Sequence, residues 1–119
     1  MFVEKIVWME ESAKEAIVTV TNGNVKVICF SQPCTLNVGS KIEEPLECID
    51  TLAVTVCESK PKITKRDSFF EYEFQGKIVN REKGLVNVAG LIIHVNVDDI
   101  PNDVNNGMYI AFGTSRLDI

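Results

Sequence analysis

The sequence predicts an all-β, single-domain protein spanning residues 1–119, and three observations carry that prediction. First, Phe70, Tyr72, Phe74, Gly76 and Ile78 alternate with Glu71, Glu73, Gln75 and Lys77, the period-two pattern of a strand with one buried face. Second, Asn22-Gly23 lies between two runs rich in β-formers, the strongest short-range hairpin signal. Third, the remaining apolar runs are short and closely spaced, which points to a barrel or a sandwich.

Taken in order, Phe2–Met9 reads as a strand, because Val3, Ile6, Val7 and Trp8 form strands more readily than helices. Glu10–Lys14 is a polar connection. Glu15–Phe30 is a hairpin about Asn22-Gly23, and a two-residue turn pairs Val20 with Val25, Val18 with Val27 and Ala16 with Cys29. Ser31–Cys34 contains a proline that interrupts pairing. Thr35–Ile42 holds a tight turn and a short strand, and Glu43-Glu44-Pro45 interrupts again. Cys48–Cys57 is a strand with Leu52, Val54 and Val56 facing inward. Glu58–Ser68, polar and containing Pro61, reads as a loop.

The long hairpin Phe69–Val97 comes next, with Arg81–Gly84 as its four-residue loop and a glycine where a left-handed residue is needed. Facing apolar rows set Phe70 opposite Val95, Tyr72 opposite Ile93, Phe74 opposite Leu91 and Gly76 opposite Ala89. The same register places His94 opposite Glu71 on the outer face. Asp98–Asn106 is a loop, and Gly107–Phe112 closes the fold as a strand with Met108, Ile110 and Phe112 inward. Counted together, these make a mostly antiparallel small barrel of about seven strands, OB-like, with a β-sandwich as the alternative. Gly76 and Gly90 would sit inside the longest strands, where glycine often marks a bend.

A chain of 119 residues supports one core. Its apolar fraction of 45% and charged fraction of 24% are ordinary globular values. No apolar run reaches the length of a membrane span, and the start Met1-Phe2-Val3-Glu4-Lys5 lacks the form of a signal peptide. A cytoplasmic location is therefore expected. The net charge of −5 disfavours nucleic acid and anionic membrane surfaces as general partners. Charge is uneven, however. Between Lys60 and Lys83, seven basic residues stand against four acids. Lys60, Lys62, Lys65 and Arg66, with Phe69 beside them, are the candidate ligand-binding residues, although a solvated loop is the usual origin of such charges and the favoured reading.

Catalytic and metal chemistry have little to build on. Cys29, Cys34, Cys48 and Cys57 contain no close pair of the zinc-ligand kind. With no sign of secretion they are expected to be reduced thiols, and Cys29 on the inner face serves as a small hydrophobe. His94, the one histidine, would have to serve any nucleophilic device, and a strand position beside Ile92 and Asn96 suits a surface residue better. Asp98, Asp99 and Asp103 supply oxygens but not the spacing of a calcium loop. Val38-Gly39-Ser40-Lys41 lacks the upstream glycine of a phosphate loop. No enzyme activity, metal or cofactor is expected.

Ile17, Ile28, Val86, Val88 and Ile92 leave apolar character on the outer faces of their strands, and such patches mark interfaces. The sequence thus favours a non-enzymatic protein-interaction or accessory module, with a protein partner or self-association through a strand edge. The alternative is an OB-like barrel that binds single-stranded nucleic acid or an oligosaccharide through the 60–83 basic window.

Overall fold

The computed structural model describes all 119 residues. Eleven strands form it: β1 (Phe2–Glu10), β2 (Glu15–Thr21), β3 (Lys26–Ser31), β4 (Leu46–Ile49), β5 (Leu52–Val56), β6 (Lys62–Lys65), β7 (Tyr72–Asn80), β8 (Leu85–Val88), β9 (Leu91–His94), β10 (Tyr109–Thr114) and β11 (Arg116–Asp118). A single 3₁₀ turn, Val97–Asp99, is the only helical element. The all-β expectation holds, and the strand expected over Phe2–Met9 is β1.

The barrel does not. The strands form one mixed sheet in the order β1-β2-β3-β11-β4-β9-β8-β7-β10-β5, with β6 on β7, and it is not closed. Most neighbours are antiparallel, but β11 with β3 and β4 with β9 run parallel. The order ends at β1 on one side and β5 on the other, and these two strands do not pair. In the β2–β3 ladder the Ile28 N–H points away from β2 and donates to the Tyr72 hydroxyl at 2.9 Å. A side chain from β7 thus satisfies a β3 donor that β11, paired with β3 at Phe30 alone, does not reach. Around the fold runs one cluster of 23 buried hydrophobic residues, including Val18, Val20, Phe74, Ile78, Leu91 and Ile93.

The strand count exceeds seven because two expected strands are broken, one loop is ordered and the C-terminal residues add β11. Asp50, in the left-handed region, splits Cys48–Cys57 into β4 and β5. As the end strand of an open sheet, β5 leaves Leu52 and Val56 about half exposed rather than inward. Ser115 separates β10 from β11. Ala89-Gly90, both at positive φ, turn the second half of the long hairpin back on itself, so Gly90 is a turn residue, not a bend within a strand. The polar stretch Glu58–Ser68 contains β6, paired with β7 from Lys62 opposite Gln75 to Lys65 opposite Tyr72. Conversely, Thr35–Ile42 contributes only an isolated Phe2–Lys41 bridge.

The Ala89-Gly90 turn also corrects the expected register. The loop Arg81–Gly84 forms as expected, closed by the pair Asn80–Leu85 with Gly84 at φ +68°. A bulge at Val79 then shifts the ladder so that Ile78 faces Val86. Phe74 faces Ile63 and Phe112, not Leu91, and Ile93 faces Val86 and Leu46, not Tyr72. A two-residue turn sets an even-numbered residue against an odd-numbered one. Val86 and Val88 therefore share the inner face with Leu91 and Ile93, and all four are buried. The expectation that Val86 and Val88 lie on an outer apolar face is overturned. His94 stands against Glu47, with Nδ1 2.7 Å from Oε1, instead of Glu71.

The first hairpin keeps its faces but slips by two residues. Val20 pairs with Val27, Val18 with Cys29 and Ile17 with Phe30. The turn has four residues because the Asn22 side chain accepts from the N–H groups of Asn24 and Val25, which extends the loop.

Candidate interaction face

Backbone directions decide which side chains of the first three strands reach solvent. Ala16, Val18 and Val20 are fully buried on β2, so Ile17 and Thr19 face outward. Register then lays out two transverse rows: Val7, Ile17 and Phe30 in one, Lys5, Thr19 and Ile28 in the other. Directly opposed residues of neighbouring strands are side-chain neighbours, so Val7, Ile17 and Phe30 form a continuous apolar row.

The row extends past the sheet. Phe70 meets Phe30 edge-on with ring centroids 6.2 Å apart, and Phe69 meets Phe70 edge-on at 4.9 Å. Phe70 was expected on the inner face opposite Val95. It lies instead in the turn before β7, half-buried beneath Phe69. Phe69 is 54% exposed and Val7 44%. At the other side of Phe30 the Arg116 guanidinium lies 4.4 Å above the ring, held by Asp118 through two bonds of 2.6 and 2.9 Å. Such a stacked, paired arginine offers an apolar plane as well as charge.

Next to this row is a depression of about 490 Å³ between β3 and β6, lined by Thr19, Ile28, Ile63, Lys65 and Tyr72 among others. Burial holds the Tyr72 hydroxyl above its ordinary pKa, partly opposed by its bond from the Ile28 N–H. Of the expected interface residues, Ile17 and Ile28 are on this face and half-buried. Ile92 is half-buried opposite Asn87, three strands further along the sheet, and does not join them.

The basic window is dispersed. Lys65 is tied down: its Nζ donates to the carbonyls of Arg66 at 3.0 Å, Ser68, and Glu71 at 3.2 Å, and lies 5.3 Å over the Tyr72 ring. Arg81 is equally occupied, with Nε donating to the Val104 carbonyl at 2.7 Å and Nη2 to those of Ile100 and Pro101, each at 3.1 Å. Arg66 stands 3.7 Å from Glu73. Lys60 is exposed in the β5–β6 connection, and only Lys62 and Arg66 reach a common surface. That surface is a groove of about 510 Å³ over β5, β10, β7 and β6, floored by Thr55, Thr64, Gln75, Ala111 and Gly113.

All four cysteines are free thiols, three of them buried. Burial pushes the Cys29 thiol far above its usual pKa and raises those of Cys48 and Cys57 as well. Above the ordinary thiol pKa of 9.0, the unfolded chain releases protons that the native chain retains. Because the unfolded state then binds fewer protons, stability falls as pH rises past that value. Denaturation followed at a series of alkaline pH values should show the midpoint dropping, and Cys29→Ala should lessen the slope. No three His, Cys, Asp or Glu side chains converge as a metal site would need, and no helix is long and apolar enough to cross a membrane.

Against models of protein families, curated proteins and solved structures, the chain finds no match. Its class is accordingly defined by its own geometry, as an open, mixed all-β sheet with a partly exposed apolar and aromatic row. The sequence placed Ile17 and Ile28 on an outer apolar face and Phe69 beside the basic residues as a ligand contact, and it did not single out Val7, Phe30 or Phe70. The outward parity of Val7 and of Ile28-x-Phe30 was the available signal.

Proposed function

We propose that the chain is a non-enzymatic interaction module whose partner is a protein, docked on the outer face of β1, β2 and β3. The observation that carries this reading is the uninterrupted row Val7, Ile17, Phe30, Phe70 and Phe69. Aromatic side chains at the centre of an interface bury large areas and dominate its energetics, and Arg116 on Phe30 adds a polar rim to the row. Four free thiols suit a reducing, cytoplasmic setting.

Burial of apolar surface is little affected by salt, whereas contacts made by surface charges are screened. A partner co-purified from the native source should therefore stay bound at high salt with the unmodified chain and be lost with Phe69→Ser. Retention by Phe69→Ser, or dissociation by salt alone, would refute this reading. A second reading rests on the groove that holds Lys62 and Arg66, which would suit a single-stranded nucleic acid or an oligosaccharide. It requires binding of such a ligand at low salt that Lys62→Ser weakens.

A further inference from the structure

We infer that the chain forms a two-fold dimer by antiparallel pairing of β1 with β1 of a second copy, centred on Val7. This goes beyond the docking face, because it uses the strand's edge and not its outer surface.

The edge is open where it matters. At its start β1 is covered: the Val3 N–H donates to Ser40, its carbonyl accepts from Gly39, and Ile42 donates to Met1. From Glu4 to Glu10 its backbone is hydrogen-bonded to β2 and to nothing else. Ladder parity says which groups remain. Since Ile28 and Phe30 direct their backbone groups away from β2, Val18 and Ala16 bond to β3, and Ile17 and Thr19 bond to β1. Their partners Val7 and Lys5 are thereby satisfied. Ile6 and Trp8 are left with N–H and C=O groups directed outward.

A two-fold axis through Val7 sets Ile6 against the partner's Trp8 and Trp8 against the partner's Ile6. These are the residues with free backbone groups, so each pair exchanges both of its hydrogen bonds. Val7 meets the partner's Val7 on the outer face. The side chains agree with the backbone, since Val7, Trp8 and Met9 are all more than 40% exposed and Ile6 is half-buried. Charges agree too. The irregularity between Trp8 and Glu10 brings Glu10 opposite Glu15, on the face shared by Ile17 and Lys5. Lys5 then lies across the seam from the partner's Met9 and Glu10. Shifting the axis to Ile6 sets Trp8 against the partner's Glu4, and shifting it to Trp8 sets Ile6 against the partner's Glu10. Only the Val7 register keeps every central pair apolar. It also joins the two aromatic rows end to end across the axis, giving one doubled face.

Sedimentation equilibrium of the full chain across micromolar to millimolar concentrations tests this. The mass should rise from 13.3 kDa to twice that value. Val7→Lys, which places two like charges on the axis at a solvent-exposed site, should hold the mass at the monomer value. Trp8→Pro, which removes an N–H not used within the chain, should do the same, with circular dichroism confirming that both variants are folded. Phe69→Ser should leave dimerisation unchanged, which separates failure of this dimer from failure of the docking face. A chain that stays at 13.3 kDa throughout, or a dimer that persists in both Val7→Lys and Trp8→Pro, would overturn the inference.

Discussion

Replacing Phe74 with alanine should destabilise the chain by about 3–5 kcal/mol, the usual cost of emptying a buried phenylalanine site. Phe74 is 1% exposed and sits on β7 where three strands meet, facing Ile63 on β6 and Phe112 on β10. Its ring stacks on Tyr72 with centroids 5.3 Å apart and tilts against Phe112 at 5.6 Å. Truncation therefore leaves a void bounded by two further rings on separate strands, which cannot collapse together without disturbing both ladders. Since small domains are stable by only about 5–15 kcal/mol, the variant should unfold at a much lower urea concentration or be unfolded without denaturant. A loss under about 1 kcal/mol would mean that this junction is not the centre of the core.

Arg81→Met is expected to cost about 2–4 kcal/mol, because bonds from a charged donor are the stronger ones and their loss leaves partly buried acceptors unpaired. The guanidinium holds the carbonyls of Ile100, Pro101 and Val104, while the Arg81 N–H donates to the Asn106 side chain at 2.7 Å. Ile100 and Val104 are themselves buried in the core. Arg81 is thus the clamp that seats the segment between β9 and β10. Methionine keeps the apolar stem but not the donors, so hydrogen exchange should rise first in residues 100–108. A uniform rise over all strands would contradict the clamp.

Those two residues show how far the sequence could be followed. Phe74 was legible as core from its alternation alone, because parity within a strand is a local property. Its neighbours were not. Which strands meet on either side of β7 depends on whether Ala89-Gly90 is a turn, and alanine is not a residue that turn chemistry would nominate for a positive φ. That one turn reversed the exposure of Val86 and Val88 and moved His94 from Glu71 to Glu47. Lys65 looked like a ligand cation, and Arg81 one more charge in the basic window, because charge is visible in a sequence and the carbonyls that occupy it are not. The candidate face was half legible. Ile17 and Ile28 follow from outward parity, but Phe30 entered the row only because the Asn22 side chain lengthens the first hairpin's loop and slips the register by two residues. Whether the sheet closes could not be read at all, since it depends on whether the end strands β1 and β5 meet, which no pattern within a strand records.

The claim that the aromatic row is where a protein partner sits can be measured by placing a photo-crosslinking phenylalanine analogue at Phe69 and, separately, at Lys62. Both positions are exposed, but one belongs to the row and the other to the groove over β5, β10, β7 and β6. The docking account predicts that illumination in the native source links a protein at position 69 and nothing at position 62. Crosslinks confined to position 62, whether to protein or to nucleic acid, would contradict it.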